Sequence, residues 1–147
     1  MYRMFNNAHT FNGDLSRWDT SNVTEIEFLF CHAHALNVDI SKWDASNVNT
    51  MDSMFLAARV FNGDLSRWDA SKVTTMHNTF CFSRAFNGDL SRWDTSNVTS
   101  MEYMFCDARA FNGDLSRWDT SNVTTMYRMF HVCPIETKHK PPRWRCL

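Results

Sequence analysis

From Val23 the apolar positions run Val23, Ile26, Leu29, Phe30, Ala33 and Leu36, in steps of three or four. The same places later hold Val98, Met101, Met104, Phe105, Ala108 and Phe111. Such steps put the side chains on one face of an α-helix of about three turns. Ser21 or Asn22 stands where a helix start needs a side-chain oxygen for an orphan amide. Past the last apolar residue, pairs such as Asn12-Gly13 predict a sharp turn that stops the helix. The next stretch, Leu15-Ser-Arg-Trp18-Asp-Thr20, reads as a short strand with Trp18 and Thr20 turned inward and Arg17 and Asp19 outward. Other copies have Ala45 and Ala70 in the Thr20 place, so it takes something small beside the indole.

All of this returns every 25 residues without insertion. Phe11–Thr24 recurs unchanged at Phe86–Thr99 and Phe111–Thr124. It recurs with two substitutions (Ala70, Lys72) at Phe61–Thr74 and more loosely at Leu36–Asn49. Tryptophan therefore falls at Trp18, Trp43, Trp68, Trp93 and Trp118, always followed by Asp. A fixed period of about 20–29 residues marks leucine-rich-repeat-like coils, in which each copy is one turn and only stacked neighbours bury its apolar face. The expected fold class is α/β: a short solenoid of about five 25-residue leucine-rich-repeat-like turns, one short parallel strand and one helix per turn. It spans residues 1–133, and a basic, Pro-containing C-terminal tail follows at 134–147.

Composition narrows the function classes. The chain has 15 Lys+Arg against 16 Asp+Glu and a net charge of -1, which gives no global field for nucleic acid or an anionic membrane. At 44% hydrophobic and 21% charged it is ordinary folded protein. No stretch reaches the roughly 18 apolar residues of a membrane span, and no apolar signal region follows Met1. Five cysteines leave at least one thiol unpaired within the chain. Cys31, Cys81 and Cys106 share one repeat place with Leu56 and His131, and His77 stands four residues before Cys81. No four-ligand set with the usual paired spacing is present, so neither metal nor other cofactor is expected. A Cys81–Cys106 disulfide is not expected either, because neighbouring helices sit about 8–10 Å apart. The Asp, Ser and Arg rows are periodic, whereas an active site needs one asymmetric constellation; no enzyme is expected.

In a stacked repeat the candidate binding residues are read down columns. Arg17, Lys42, Arg67, Arg92 and Arg117 form a basic column beside Asp19, Asp44, Asp69, Asp94 and Asp119. A further acidic column is Asp14, Asp39, Asp64, Asp89 and Asp114. Two readings stand: a self-neutralising charge lattice that holds register, or a polar recognition surface for a protein. The Asp rows oppose phosphates, which argues against nucleic acid. His9, His34, Arg59, Arg84 and Arg109 fall at the predicted helix ends, where cations complement the helix dipole. The Asn12, Asn37, Asn62, Asn87, Asn112 column predicts a hydrogen-bonded ladder.

Departures from the repeat are the places to look for what is particular to this chain. Phe28 and Phe82 are extra aromatics, and with Tyr103 they give the outer helix surface an apolar patch on which a partner docks. The tail carries Lys138, Lys140, Arg143, Trp144 and Arg145, which either cap the last turn or dock on an acidic partner surface. Met1-Tyr-Arg-Met-Phe5 enters the repeat without the Ser-Asn-Val-Thr that precedes it elsewhere, leaving an open apolar end for end-to-end or complex association.

The unit Met-x-x-Met-Phe-x-x-Ala-x-x-Phe-Asn-x-Asp-[Leu/Ile]-Ser-x-Trp-Asp-[Thr/Ala]-Ser-[Asn/Lys]-Val-Thr resembles the BspA-like leucine-rich-repeat family over residues 1–133. The resemblance implies a protein-binding or adhesion solenoid without catalysis, at the cell surface or secreted. The missing signal segment and odd thiol count allow an intracellular or organellar assembly instead. The function expected is a non-enzymatic protein–protein interaction module. The alternative is a structural accessory subunit of a large assembly, its tail docked on a neighbour.

Overall fold

A computed structural model describes residues 1–145. The expected α/β solenoid is not what the chain forms. Among the described residues the single regular helix is a 3-10 turn at Thr137–His139. Strand pairing among the described residues is limited to the isolated parallel bridges Glu25–Thr50, Thr50–Thr75, Thr75–Ser100 and Ser100–Thr125. No helix here is long and apolar enough to cross a membrane.

In place of each predicted helix lies a run of serial turns, at residues 1–8, 26–33, 51–58, 76–83, 101–108 and 126–133. Amides alternate between two destinations. Leu29, Cys31 and Ala33 donate back three residues within their own unit, to Ile26, Phe28 and Phe30. Phe28, Phe30 and His32 donate onward, to the carbonyls of Asp52, Met54 and Leu56 in the next unit. A helix would spend every amide inside its own segment. It would also need 8–10 Å between neighbours. The stack leaves no such room: Phe5, Phe30, Phe55, Phe80, Phe105 and Phe130 follow one another with ring centroids 5.4–5.9 Å apart. Phe61, Phe86 and Phe111 repeat at 6.0 Å. The apolar face read from the sequence is buried, but the backbone carrying it is not helical.

The serial turns impose a backbone cost. The third residue of alternate turns has positive φ, as in Phe28 (53°), His32 (58°), Tyr103 (54°) and Val132 (56°). None of these is glycine, so each pays the left-handed penalty and is held there by hydrogen bonds on both sides. The glycines do the opposite of what was expected, since none has positive φ. A Cβ built on Gly88 would lie 2.9 Å from the Phe86 ring, so glycine makes room for the aromatic column rather than for a turn.

The later copies of the Leu15–Thr20 stretch turn Trp43, Trp68, Trp93 and Trp118 inward together with Ala45, Ala70, Thr95 and Thr120, as the alternation predicts, but as a pair of tight turns and not a strand; Trp18 itself, expected inward, is 38% exposed. Each of these indoles donates from Nε1 to a carbonyl of the preceding unit, those of Leu15, Ile40, Leu65 and Leu90, at 2.9–3.1 Å. The asparagine ladder forms: amides of Asn37, Asn62, Asn87 and Asn112 donate to Oδ1 of the asparagine one unit before, at 2.8–3.2 Å.

The acidic columns serve the turns. Asp14, Asp39, Asp64, Asp89 and Asp114 each accept the amide of the serine two residues on, at 2.9–3.0 Å. Asp19 through Asp119 repeat the device one step later. Among the described residues none of these carboxylates pairs with the Arg17 column, so the expected charge lattice is a set of Asx turns instead. Serine hydroxyl and then serine amide bonds hold Asp19 and Asp39 below the usual 3.8, and at Asp64, Asp114 and Asp119 the serine amide is the larger cause. The folded chain thus binds fewer protons than the unfolded one in acid, and this stability, full above the ordinary carboxylate range, is lost as pH falls through and below it. His34 adds an earlier loss: burial, then the charges of Arg59, His9 and His32, hold it below 6.5. Urea midpoints are expected to decline gently below about pH 6.5 and steeply below about pH 4. A His34→Gln variant should remove only the gentle part.

From Pro134 the chain lies on the last full unit. Leu115 N–H donates to the His139 carbonyl at 2.8 Å, and Thr120 Oγ1 donates to that of Pro142 at 2.8 Å.

Candidate functional site

Exact repetition gives every unit the same outer surface, so a site requires residues that break a column. One column of left-handed positions runs Asn7, His32, Ala57, Phe82, Asp107 and Val132. It runs beside the next column, His9, His34, Arg59, Arg84 and Arg109, with Asn7, Phe82 and Val132 exposed and Ala57 and Asp107 buried. Around the fourth to sixth units the two columns contribute to the lining of an open cavity of about 580 Å³.

Phe82 (43% exposed) and Val132 (55% exposed) stand one unit to either side of Asp107, which is only 5% exposed. Leu56 and Tyr103 extend the apolar wall, and buried Cys81 and Cys106 line the floor. Asp107 accepts Arg84 Nε on Oδ2 at 2.9 Å and Arg109 Nε on Oδ1 at 2.7 Å. Burial pushes the Asp107 pKa up, but the bonds from Arg109 and Arg84 overcome it and hold the carboxyl below the usual range. The arginines read as complements of a helix dipole therefore have another task, because there is no helix there. Arg128 joins them at the cavity, with His77 and His131.

Cys31, Cys81, Cys106 and Cys133 are free thiols. The expectation that Cys81 and Cys106 stay unbridged rested on helix spacing, which the structure does not have, although both thiols are free. Burial, followed by the neighbouring Cys106, pushes the Cys81 thiol up to about 12, and burial also raises Cys106. Neither is a thiolate at neutral pH. No group of three or more His, Cys, Asp or Glu side chains that would hold a metal ion occurs among the described residues.

The residues predicted to bind a partner separate into four places. Phe82 and Tyr103 line the cavity, with Tyr103 edge-on to Tyr127 at 5.4 Å, whereas Phe28 lies outside it, edge-on to Tyr2 at 6.2 Å under the Arg3 guanidinium. On another face Arg67, Asp69, Arg92 and Asp94 come together around a depression of about 450 Å³ beside Trp68. Arg17, Asp19, Lys42, Asp44, Arg117 and Asp119 continue these columns and are exposed. The tail residues fold back: Lys140 Nζ lies 3.9 Å from the Trp144 ring centroid, and Arg145 stacks on the same ring. Arg143 Nη1 donates to the carbonyls of Thr120 and Ser121, while Lys138 pairs with Glu136 at the surface. Sequence reasoning missed Asp107, Arg128 and Val132. The signal available was that Asp107 is the only acidic residue in its column.

No curated protein and no solved structure matches the chain. A family model matches residues 1–81 and again residues 63–139, so the two matches together run across the repeat and into the tail. The chain belongs to the family described as "Mycoplasma protein of unknown function, DUF285".

Proposed function

We propose that the chain is a non-enzymatic protein-interaction module, and that its repeat is of the BspA-like type. The observation carrying this reading is the cavity beside Phe82, where exposed apolar side chains border fixed guanidinium groups. That mixture of aromatic anchor and arginine is the composition of protein-binding patches. The stack behind it supplies rigidity, since every second amide of the serial turns is tied to the next unit. A rigid backbone lowers the ordering cost of association.

A photo-crosslinking residue placed at position 82 is expected to capture one discrete protein from the source cells. The same residue at position 67 reports the Trp68 depression instead. Capture at 67 and not at 82 would move the interface to the Arg–Asp columns, and capture at neither would end the module reading.

A further inference from the structure

We infer that the polar end of the Phe82 cavity is a carboxylate seat, and that the partner it takes is an acidic peptide segment with an aromatic or branched aliphatic side chain beside its carboxylate. This deepens the module reading and rests on it.

The seat is built around Asp107. Its buried carboxylate binds two guanidinium groups through their Nε atoms alone. Among the described residues the terminal Nη groups of Arg84 and Arg109 have no hydrogen-bond partner, and both side chains are exposed. Two planar groups are thus oriented from behind with their outer donors open, the arrangement that receives an oxyanion bidentately. Asp107 offsets one of the two positive charges, leaving the pair with a net single charge. That balance suits a carboxylate monoanion better than a phosphate dianion. Arg128 also lines the cavity, but its guanidinium lies 5.3 Å from the Tyr127 ring centroid and is not among the groups bound to Asp107, so the seat itself keeps the single positive charge. His77, 3.9 Å from Glu102, also lines the cavity. Phe82 and Val132 flank the seat at the neighbouring levels of the stack, where they meet a side chain adjacent to the bound carboxylate.

The test uses the full chain and a fluorescein-labelled hexapeptide of alternating Glu and Phe. Its comparators are the same peptide with Gln for Glu and one with phosphoserine for the central Glu. The Glu peptide is expected to bind about tenfold more tightly than the Gln peptide, the worth of one charge-assisted hydrogen-bond set. It should also bind more tightly than the phosphoserine peptide. The Arg84→Lys/Arg109→Lys double variant keeps the charge but loses the forked donors, and it should lose about the same factor. Equal binding of the Glu and Gln peptides, stronger binding of the phosphoserine peptide, an unaffected double-lysine variant, or no binding overturns the carboxylate seat. The peptide comparison needs no variant and holds even if the lysine variant folds poorly. Failure here with crosslinking retained at position 82 removes the ligand class alone; failure of both removes the module.

Discussion

Replacing Trp68 with alanine is expected to destabilise the protein by about 3–5 kcal/mol, the range for a large aromatic removed from a packed interior. Trp68 is 4% exposed and stacks on Trp43 at 6.3 Å. Its Nε1–H also fills the Ile40 carbonyl at 3.1 Å. The mutation therefore opens a cavity between two units and leaves a buried carbonyl without its donor, two costs of different origin. Trp68→Phe separates them. It keeps most of the ring and loses only the N–H, so about 1–2 kcal/mol is expected. Trp18→Ala is the internal control: that indole is 38% exposed. Its loss should cost less than half as much. Urea unfolding of the four proteins decides the matter, and a near-neutral Trp68→Ala would remove the indole column from the core.

Apart from Trp18, expected inward but exposed, the sequence revealed which residues are inside and what the period is, and it misled about the backbone that connects them. Ile26, Leu29, Phe30 and Ala33 are buried as their spacing demands. Steps of three and four, however, are common to a helix and to a chain of three-residue-spaced turns whose every second amide leaves for a neighbour. What distinguishes them is the left-handed backbone at Phe28 and His32, and in no unit does a glycine mark those positions. The usual signal for positive φ was absent because the stack, not the local residue, enforces it. Asn-Gly misled in the other direction, advertising a turn where Gly88 serves the Phe86 ring. The asparagine ladder was legible because its side chains bond at the same 25-residue interval that the text of the sequence displays.

The site was half legible for the same reason. Phe82 and Tyr103 stood out as aromatics in columns of other residue types, and both line the cavity. Asp107 did not, because its importance comes from depth. Only the fold shows that one acidic residue in that column is buried and holds an arginine of its own unit and one of the unit before. The charge columns mislead in the reverse sense. Regular alternation of Arg17 and Asp19 suggests pairing, yet the aspartates are committed to serine amides two residues away, a shorter and better-defined geometry than an exposed ion pair.

Gly88→Val is expected to cost about 3 kcal/mol, the upper end for overpacking a filled core, and Phe86→Leu should return most of it. The second unit already contains the compensated pair: Leu36 stands in the phenylalanine column and Val38 in the glycine column, and both are buried. A Cβ at Gly88 would come within 2.9 Å of Phe86 Cε2, 3.0 Å of Cζ and 3.4 Å of the Gly63 carbonyl. The ring has no room to retreat, because Phe80 stacks on it at 4.1 Å while Phe61 and Phe111 stand at 6.0 Å on either side. Phe86→Leu alone removes ring volume and should cost about 1–2 kcal/mol. The double variant is expected to lie within about 1 kcal/mol of that single change, a coupling of about 2 kcal/mol in a double-mutant cycle. Additive losses would mean that the valine is rejected by the backbone above it and not by the ring. The pairing of glycine with phenylalanine would then have to be explained by the turn alone.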